Sequence, residues 1–268
     1  MTTETTGSGD IARTLELMWG LGEKPTRGPK PGLTLDAIVS KAIEVADTEG
    51  LAAASMRRIA NELGTGTMSL YRYVPGKAEL LDLMLDKVCD PGDPCATDGE
   101  TPDWRPALAD MARGFLELHQ RHPWLLRINQ ARTVLGPSTI SSLEAALAVL
   151  RGMSLTDTEK ISVIISVQSL AAGVARMAAD AEEAVEQTGL SHADFWSAQE
   201  PFLAGAMHSG KFPLVAGLGE DTFTQEFDHL DFGVQRLIAG LDALVREREA
   251  SGWRNPSAGR CDATDDSP

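Results

Sequence analysis

Residues 65–77, TGTMSLYRYVPGK, bring hydroxyl, aromatic and cationic side chains close together and hold both tyrosines of the chain. These side-chain types suit DNA, because a hydroxyl can bond to either base type, methionine can pack on a thymine methyl group and arginine reads guanine. Hydroxyls and lysine can also bind phosphate, which fixes position without reading sequence. The plainer alternative is half-buried packing of tyrosines on a short helix. We assign Thr67, Met68 and Arg72 to base edges, Ser69, Tyr71, Tyr73 and Lys77 to phosphates, and Arg57 to the groove or a phosphate.

The elements that would position these residues are short, capped helices. Thr34 and Ser55 precede two apolar patterns as N-caps, and Gly50 and Gly64 follow them as stops. A tight turn at 64–66 leads to a third, very short helix, which is the pattern of a helix-turn-helix. In that motif the second helix lies in the major groove. Helices are predicted over 35–49, 56–63, 67–73 and 77–89.

Charge is distributed unevenly along the chain. The formal net charge is −15, which argues against a protein that coats nucleic acid. From Lys24 to Lys77, however, there are eight Lys/Arg and five Asp/Glu. An anion such as DNA would therefore be attracted to this segment and repelled by the rest of the chain. Residues 22–33 also carry Arg27 and Lys30 among three prolines and three glycines. They are either a solvated linker or a basic arm that touches a phosphate backbone.

The segment LTLDAIVSKAIEVADTEGLAAASMRRIANELGTGTMSLYRYVPGKAELLDLMLD, within roughly residues 33–88, resembles the DNA-binding domain of TetR-family transcriptional regulators. The resemblance implies an all-α homodimer whose N-terminal helices bind a palindromic operator in double-stranded DNA. It also implies a C-terminal domain that binds a small-molecule effector, which releases the DNA. Of the DNA-binding candidates, Arg72 falls on a variable position of the family, and the others fall on positions that usually touch DNA.

Helical patterns continue after the first domain, and no convincing alternating strand appears, so the predicted fold is all-α. A helix over 10–19 is also expected, after a disordered start at 1–10. The predicted divisions are a flexible N-terminal extension with the basic arm (1–32), a helix-turn-helix DNA-binding domain (33–80), a larger ligand-binding and dimerisation domain (81–250) and a disordered tail (251–268). Further helices are predicted over 104–120, 123–131, 138–151, 157–187, 192–208 and 222–249.

The last predicted helix carries apolar residues spaced alternately four and three apart, a period of 3.5 that is typical of a helix seam. An ordinary core helix can show the same pattern, but with the family resemblance a homodimer interface is the favoured interpretation. The helix over 157–187 is apolar on more than one face, so it could meet both a partner and a cavity. The interface candidates are Phe223, Phe227, Leu230, Val234, Leu237, Leu241 and Leu244.

A ligand pocket follows from the resemblance more than from the residues. Pockets are mostly apolar with a few placed polar groups, but methionine and aromatic residues at helical spacing are also common in plain cores. Gln168 stands out as a single amide in a long apolar run, although it could equally bond across the core or the dimer interface. The ligand-binding candidates are Met111, Phe115, His119, Trp124, Asn129, Gln168, Met177 and Trp196.

Other chemistries have weaker support. His119-x-x-His122 has helical metal-ligand spacing without an evident third ligand, so neither a metal nor a cofactor is predicted. Cys89 and Cys95 could form a redox switch, but two incidental thiols are the simpler interpretation. Nucleotide-binding and hydrolase motifs are missing, and we predict no enzyme, no membrane association and a cytoplasmic location. The alternative function is a small-molecule-binding or enzymatic all-α protein with a vestigial helix-turn-helix.

Overall fold

The computed structural model describes residues 4–21, 33–92, 103–219 and 222–253, and these are almost entirely helical. The all-α prediction is confirmed. Two-residue strands, β1 (Glu4–Thr5) and β2 (Ile128–Asn129), are the exception within this described part. The helices are α1 (Ile11–Met18), α2 (Leu35–Glu49), α3 (Met56–Glu62), α4 (Thr67–Leu70), α5 (Lys77–Val88), α6 (Trp104–Arg121), a 3-10 helix (Pro123–Arg127), α7 (Pro137–Val149), α8 (Asp157–Thr188), α9 (His192–His208), α10 (Pro213–Ala216) and α11 (His229–Ser251).

Helices α2 to α5 share one hydrophobic core. Ile38, Ile59, Leu70 and Leu80 are completely or almost completely buried in it. α5 is continuous through the predicted domain boundary at residue 80, and side chains on both sides of that boundary, such as Leu80 and Met84, pack in this core. The 3-10 helix after α6 also contributes buried side chains to it.

The N-terminal extension is more ordered than the sequence suggests. Residues 4–10 are expected to be disordered, but β1 pairs in parallel with β2, and Thr6 is buried. Sequence reasoning misses this because a two-residue strand has no periodicity of its own and its partner lies more than 120 residues away. The predicted helix over 10–19 is present as α1. The basic arm, with Lys24, Arg27 and Lys30, lies outside the described residues.

A second core joins α6, α7, α8 and α11 around Leu108, Leu150 and Val167. The long helix α8 begins with a capping box, in which the Thr156 hydroxyl accepts from the Glu159 amide and the Glu159 carboxylate accepts from the Thr156 amide. By length and composition α8 could cross a membrane, yet it packs on α6, α7 and α11. Only 22% of its most apolar window is buried within the chain, so much of that surface faces a cavity or is left uncovered.

Most predicted helix ends lie within two residues of the observed ones, but three predicted helices differ by more. α4 ends at Leu70, and residues 71–73 continue as a turn. The predicted helix over 123–131 is the 3-10 helix followed by β2. α11 begins at His229 because the Asp228 side chain accepts from the Asp231 amide and caps it. At the C-terminal side α11 runs to Ser251, and the rest of the predicted tail from 254 lies outside the described residues.

Candidate DNA-binding surface and ligand cavity

The helix-turn-helix is built by α3, a tight turn and α4. Ser55 caps α3 by accepting from the Arg58 amide at 3.2 Å. Gly64 has a φ of +61°, a backbone conformation that glycine adopts without a steric cost, and the Thr65 amide returns to the Ala60 carbonyl at 2.9 Å. Leu70 is fully buried and anchors α4. The turn therefore fixes the angle at which α4 projects its other side chains.

The predicted DNA-binding residues all lie on this motif and the start of α5. They fall into an exposed group and a half-buried group. Met68 is 77% exposed, and Tyr71, Arg72 and Arg57 are also exposed. A methionine so exposed on a four-residue helix contributes little to the core, and its side chain is accessible to a bound macromolecule. Thr67, Ser69, Tyr73 and Lys77 are half-buried, and the ring of Tyr73 packs on the N-terminal core.

Two adjacent arginines on α3 have different roles. Arg58 forms an ion pair with Glu49 at 2.7 Å and a second with Glu62, and both carboxylates hold the pKa of its guanidinium above its ordinary value. Arg57 is exposed, and within the described part of the chain it forms no ion pair. Arg57 is therefore available to a phosphate, whereas Arg58 joins α3 to α2.

Lys77, the first residue of α5, is already engaged. Its Nζ lies 2.5 Å from Oε1 of Glu4, which β1 places beside it. Both side chains remain about one-third exposed, 38% and 33% respectively. The sequence predicted that Lys77 binds a DNA phosphate. In the structure, its ammonium group already pairs with the carboxylate of Glu4 from the same chain.

A large cavity lies between the end of α5 and helices α6, α7 and α8. Its volume is about 840 Å³, within the range of roughly 300–1,000 Å³ that is usual for small-molecule sites. Met111, Phe115, His119 and Gln168 line it, as the sequence predicted. Its lining also includes residues that sequence reasoning missed: Cys89, Gln130, Thr133, Leu135, Thr139 and Leu143.

Four of the ligand-binding candidates lie elsewhere. Trp124 is 3% exposed in the N-terminal core, where its Nε1 donates to Oδ1 of Asp47 at 2.8 Å. Asn129 belongs to β2, and Met177 is 59% exposed on α8, outside the cavity lining. Trp196 stacks on Phe223 with ring centroids 5.2 Å apart. Aromatic and methionine content could not separate these positions from the cavity, because their partners are distant in sequence.

His119 and Gln168 are two of the polar residues that line the cavity. The His119 Nδ1 lies 2.7 Å from the Phe115 carbonyl oxygen. A carbonyl only accepts, so Nδ1 carries the proton and Nε2 is left as an acceptor. Burial lowers the pKa of His119, and Arg176 lowers it further, while the bond to Phe115 opposes the change. The imidazole is therefore neutral at pH 7 and can accept a hydrogen bond from a ligand hydroxyl.

Asp86 connects the cavity to the DNA-binding domain. Its Oδ1 accepts from the amide and the hydroxyl of Thr139, at 2.9 Å and 2.8 Å, in the first turn of α7. Asp86 lies on α5, which follows the helix-turn-helix, and Thr139 lines the cavity. A Cβ atom at Gly136 would lie 2.4 Å from the Asp86 carboxylate, so the close approach requires glycine.

The predicted seam on α11 is divided between core and surface. Leu230 and Val234 are buried against the C-terminal core of the same chain. Leu237, Leu241 and Leu244 are half-buried and line a shallow groove between α11 and α8. Phe223 and Phe227 precede the capped start of α11 and therefore do not continue its pattern, which corrects the predicted helix over 222–249.

His119 and His122 bind different partners. His119 bonds to Phe115, whereas His122 Nδ1 lies 2.8 Å from Oδ1 of Asp47. Among the described residues no group of three or more His, Cys, Asp or Glu side chains is arranged to hold a metal ion. Burial raises the pKa of Cys89 to about 11, so it is a thiol at neutral pH and a poor nucleophile. Cys95 lies outside the described residues.

Comparison with known proteins accounts for both halves of this arrangement. Residues 38–84 match the family model of bacterial regulatory proteins of the tetR family, and residues 97–245 match that of the tetracyclin repressor-like C-terminal domain. The chain belongs to the TetR family. It is 55% identical over 246 residues to the HTH-type transcriptional repressor DrrR1 of Streptomyces coeruleorubidus, a match that covers 92% of this chain and 91% of that protein.

Solved structures of another TetR-family regulator have the same fold. ActR from Streptomyces coelicolor in complex with actinorhodin is 30% identical, with a TM-score of 0.62 over 81% of this chain and 99% of that one. ActR in complex with (S)-DNPA is 29% identical, with a TM-score of 0.60 over 80% and 99%. This TetR-family chain is therefore a ligand-responsive, DNA-binding transcriptional regulator.

Proposed function

We propose that the protein represses transcription as a homodimer on a palindromic operator and that a drug-sized effector in the cavity releases the DNA. The observation that carries the proposal is the contact between Asp86 and Thr139, which ties the cavity wall to the helix that follows the recognition helix. Support for repression comes from DrrR1, which is named a repressor. An effector can shift DNA binding only if its affinity differs between two conformations.

Residues of the helix-turn-helix would contact the DNA in two ways. Thr67, Met68 and Arg72 would face base edges, and the remaining candidates would bind phosphates. The second helix of such a motif enters the major groove, and a dimer places two of them about 34 Å apart on half-sites. A single chain supplies one recognition helix, so a palindrome requires a second copy.

The surface between α8 and α11 is our proposed dimer interface. Leu237, Leu241 and Leu244 line its groove with Val163 of α8. Most of the apolar window of α8 is unburied within the chain, and large uncovered apolar surfaces mark interaction sites. Two-fold pairing of α8 and α11 with the same helices of a second copy would cover this groove. Leu230 and Val234 would then support the interface from within the core, and Phe223 and Phe227 would lie at its edge.

The cavity favours a predominantly apolar effector that carries a hydroxyl group. Met111 and Phe115 supply apolar surface, His119 Nε2 accepts one hydrogen bond, and the amide of Gln168 can both donate and accept. ActR, which shares this fold, has been crystallised with actinorhodin and with (S)-DNPA. These compounds are therefore suitable first probes for the cavity of this protein.

Capture of genomic DNA fragments followed by footprinting tests the operator and the dimer together. We expect a protected palindrome, and sedimentation equilibrium should give a complex with two chains per operator. Retention of DNA without a two-fold footprint, or one chain per site, would contradict the homodimer. No retained fragment from folded protein at low salt would instead favour a small-molecule-binding protein with a vestigial helix-turn-helix.

Addition of actinorhodin to the operator complex tests the effector. We expect the probe to raise the midpoint of thermal unfolding of the free protein and to release DNA. Gln168→Leu should weaken both effects while leaving operator affinity without the probe unchanged, because Gln168 lies in the cavity and far from α4 in sequence. Release of DNA that is equally strong in Gln168→Leu would place the effector outside this cavity.

A further inference from the structure

The N-terminal segment 4–10 contacts the loop at residues 129–133, and two residues of that loop line the cavity. The Thr6 hydroxyl donates to the Arg132 carbonyl at 2.7 Å, and the Thr6 amide donates to the Asn129 carbonyl at 3.1 Å. In the same loop, Gln130 and Thr133 line the cavity. A ligand that moves this loop must therefore move β1 or break its pairing with β2.

The same segment is fixed to α5 at three points. Glu4 pairs with Lys77, the Gly7 amide donates to Oδ1 of Asp82 at 2.9 Å, and the Asp10 amide donates to Oε1 of Glu79 at 2.9 Å. Asp82 and Glu79 are buried carboxylates. The packing is tight, because a Cβ atom at Gly9 would lie 2.3 Å from Oε1 of Glu79.

Glu4 and a DNA phosphate would compete for the ammonium group of Lys77. Lys77 carries a single positive charge, and a carboxylate 2.5 Å from its Nζ neutralises it. Glu4 would also lie close to any phosphate bound there, and two anions repel each other. The docked segment is thus expected to weaken DNA binding, and DNA binding is expected to loosen the segment, since coupling between two sites is reciprocal.

We propose that residues 4–10 form a regulatory strap that couples the cavity to DNA binding, with Glu4 competing against operator phosphate for Lys77. The inference rests on the proposed function, because it assigns a DNA phosphate to Lys77. A ligand that holds the loop at 129–133 in the observed position keeps β1 paired and Glu4 on Lys77. This adds an electrostatic contribution to the release of DNA, in addition to the connection between α5 and α7 through Asp86 and Thr139.

A double-mutant cycle on operator affinity tests the competition. Wild type, Glu4→Gln, Lys77→Ala and the double variant are compared at low salt on the footprinted operator. We expect Glu4→Gln to tighten binding about two- to fivefold, the range that a partly exposed ion pair supports. In the Lys77→Ala background the effect should be clearly smaller, because only the repulsion between Glu4 and phosphate remains. The matched control is Glu16→Gln on α1, which removes the same charge from a carboxylate paired with Arg13, and it should leave affinity unchanged.

The outcomes separate the strap from the function on which it rests. If wild type binds no DNA, the proposed function fails. If wild type binds and Glu4→Gln has no effect, or the same effect with and without Lys77, the strap is overturned. Hydrogen exchange provides the second readout: operator should accelerate exchange in peptides covering 4–10 and 128–133 of wild type. Unchanged exchange in both peptides of the DNA-bound protein would also overturn the strap.

Discussion

Asp86 Oδ1 accepts both hydrogen bonds that Thr139 donates, so a single carboxylate oxygen of α5 fixes the first turn of α7. The carboxylate also lies at a helix N-terminus, where negative charge is favourable. Because α5 packs in the DNA-binding core and α7 forms a wall of the cavity, this contact is a direct mechanical connection between them.

Asp86→Ala should lower the free energy of unfolding by about 1–3 kcal/mol, because the partly buried amide and hydroxyl of Thr139 both lose their acceptor. Asp86→Asn keeps the accepting oxygen and removes only the charge at the helix N-terminus, so it should cost about 0.3–1 kcal/mol. Urea denaturation measures both. An alanine variant as stable as the asparagine variant would show that the two hydrogen bonds do not stabilise the fold.

Gly136→Ala should be destabilising because the new Cβ atom would overlap the Asp86 carboxylate, and overpacking of this kind typically costs about 1–3 kcal/mol. The control is Gly114→Ala in α6, where a Cβ atom meets no atom within 4 Å. Alanine in that helix should raise stability by about 0.5–1 kcal/mol. The two substitutions should therefore move the urea midpoint in opposite directions, and equal shifts would refute the close approach at Gly136.

Arg57→Ala should weaken binding to the operator and to unrelated DNA alike, since an arginine that binds phosphate carries no sequence information. The plot of log affinity against log salt should become less steep by about one unit for each phosphate that the variant no longer binds. Arg58→Ala is the matched control on the same helix, because Arg58 is held by Glu49 and Glu62. Affinity titrations at several salt concentrations give the slope for each variant. Equal slopes for Arg57→Ala and Arg58→Ala would show that Arg57 does not bind a phosphate.

Met68→Ala should alter the preference among operator variants at one base position, by at most the roughly 1–3 kcal/mol that a mismatched base pair costs in a specific site. Its side chain is highly exposed, so the stability of the free protein should be unaffected. Tyr73→Ala, by contrast, should weaken binding to all sequences. Competition binding with single-base operator variants distinguishes the two effects, and a uniform loss of affinity for Met68→Ala would show that Met68 does not read a base.

The depressed pKa of His119 makes stability depend on pH. The folded protein protonates this imidazole less readily than the unfolded chain does, so its contribution to stability is present above the unfolded value of about 6.5 and is lost as pH falls below it. His119→Asn keeps a donor for the Phe115 carbonyl and cannot titrate. Thermal unfolding at pH 7.5 and 5.5 should show a larger decrease in stability in wild type than in the variant. An equal decrease would assign the pH dependence to other groups.

The sequence predicted helix ends well where a cap or a turn from neighbouring residues determines them. Thr34 and Ser55 cap α2 and α3, as their side-chain chemistry predicted. The helix-turn-helix was predictable because its turn, caps and short second helix are all contiguous. Asp228 is also a local cap, but the apolar period running through it predicted an earlier start for α11.

Long-range contacts explain the remaining differences. Trp124 has the side chain of a pocket residue, and only its bond to Asp47, far away in the sequence, shows why it is buried with the DNA-binding core. The pairing of β1 with β2 and the contact between Glu4 and Lys77 were unpredictable for the same reason. The cavity could be expected from the family resemblance, but its polar wall at Gln130 and Thr133 comes from a loop without any periodic pattern.

DNA recognition by the helix-turn-helix is tested most directly by the affinity of the protein for its footprinted operator at about 50 and 200 mM salt, with and without saturating actinorhodin. A dimer that binds at least six phosphates should bind about a thousandfold more weakly at the higher salt concentration, and the probe should weaken binding further at both. Binding that is independent of salt, or absent from folded and dimeric protein, would contradict DNA recognition by this helix-turn-helix.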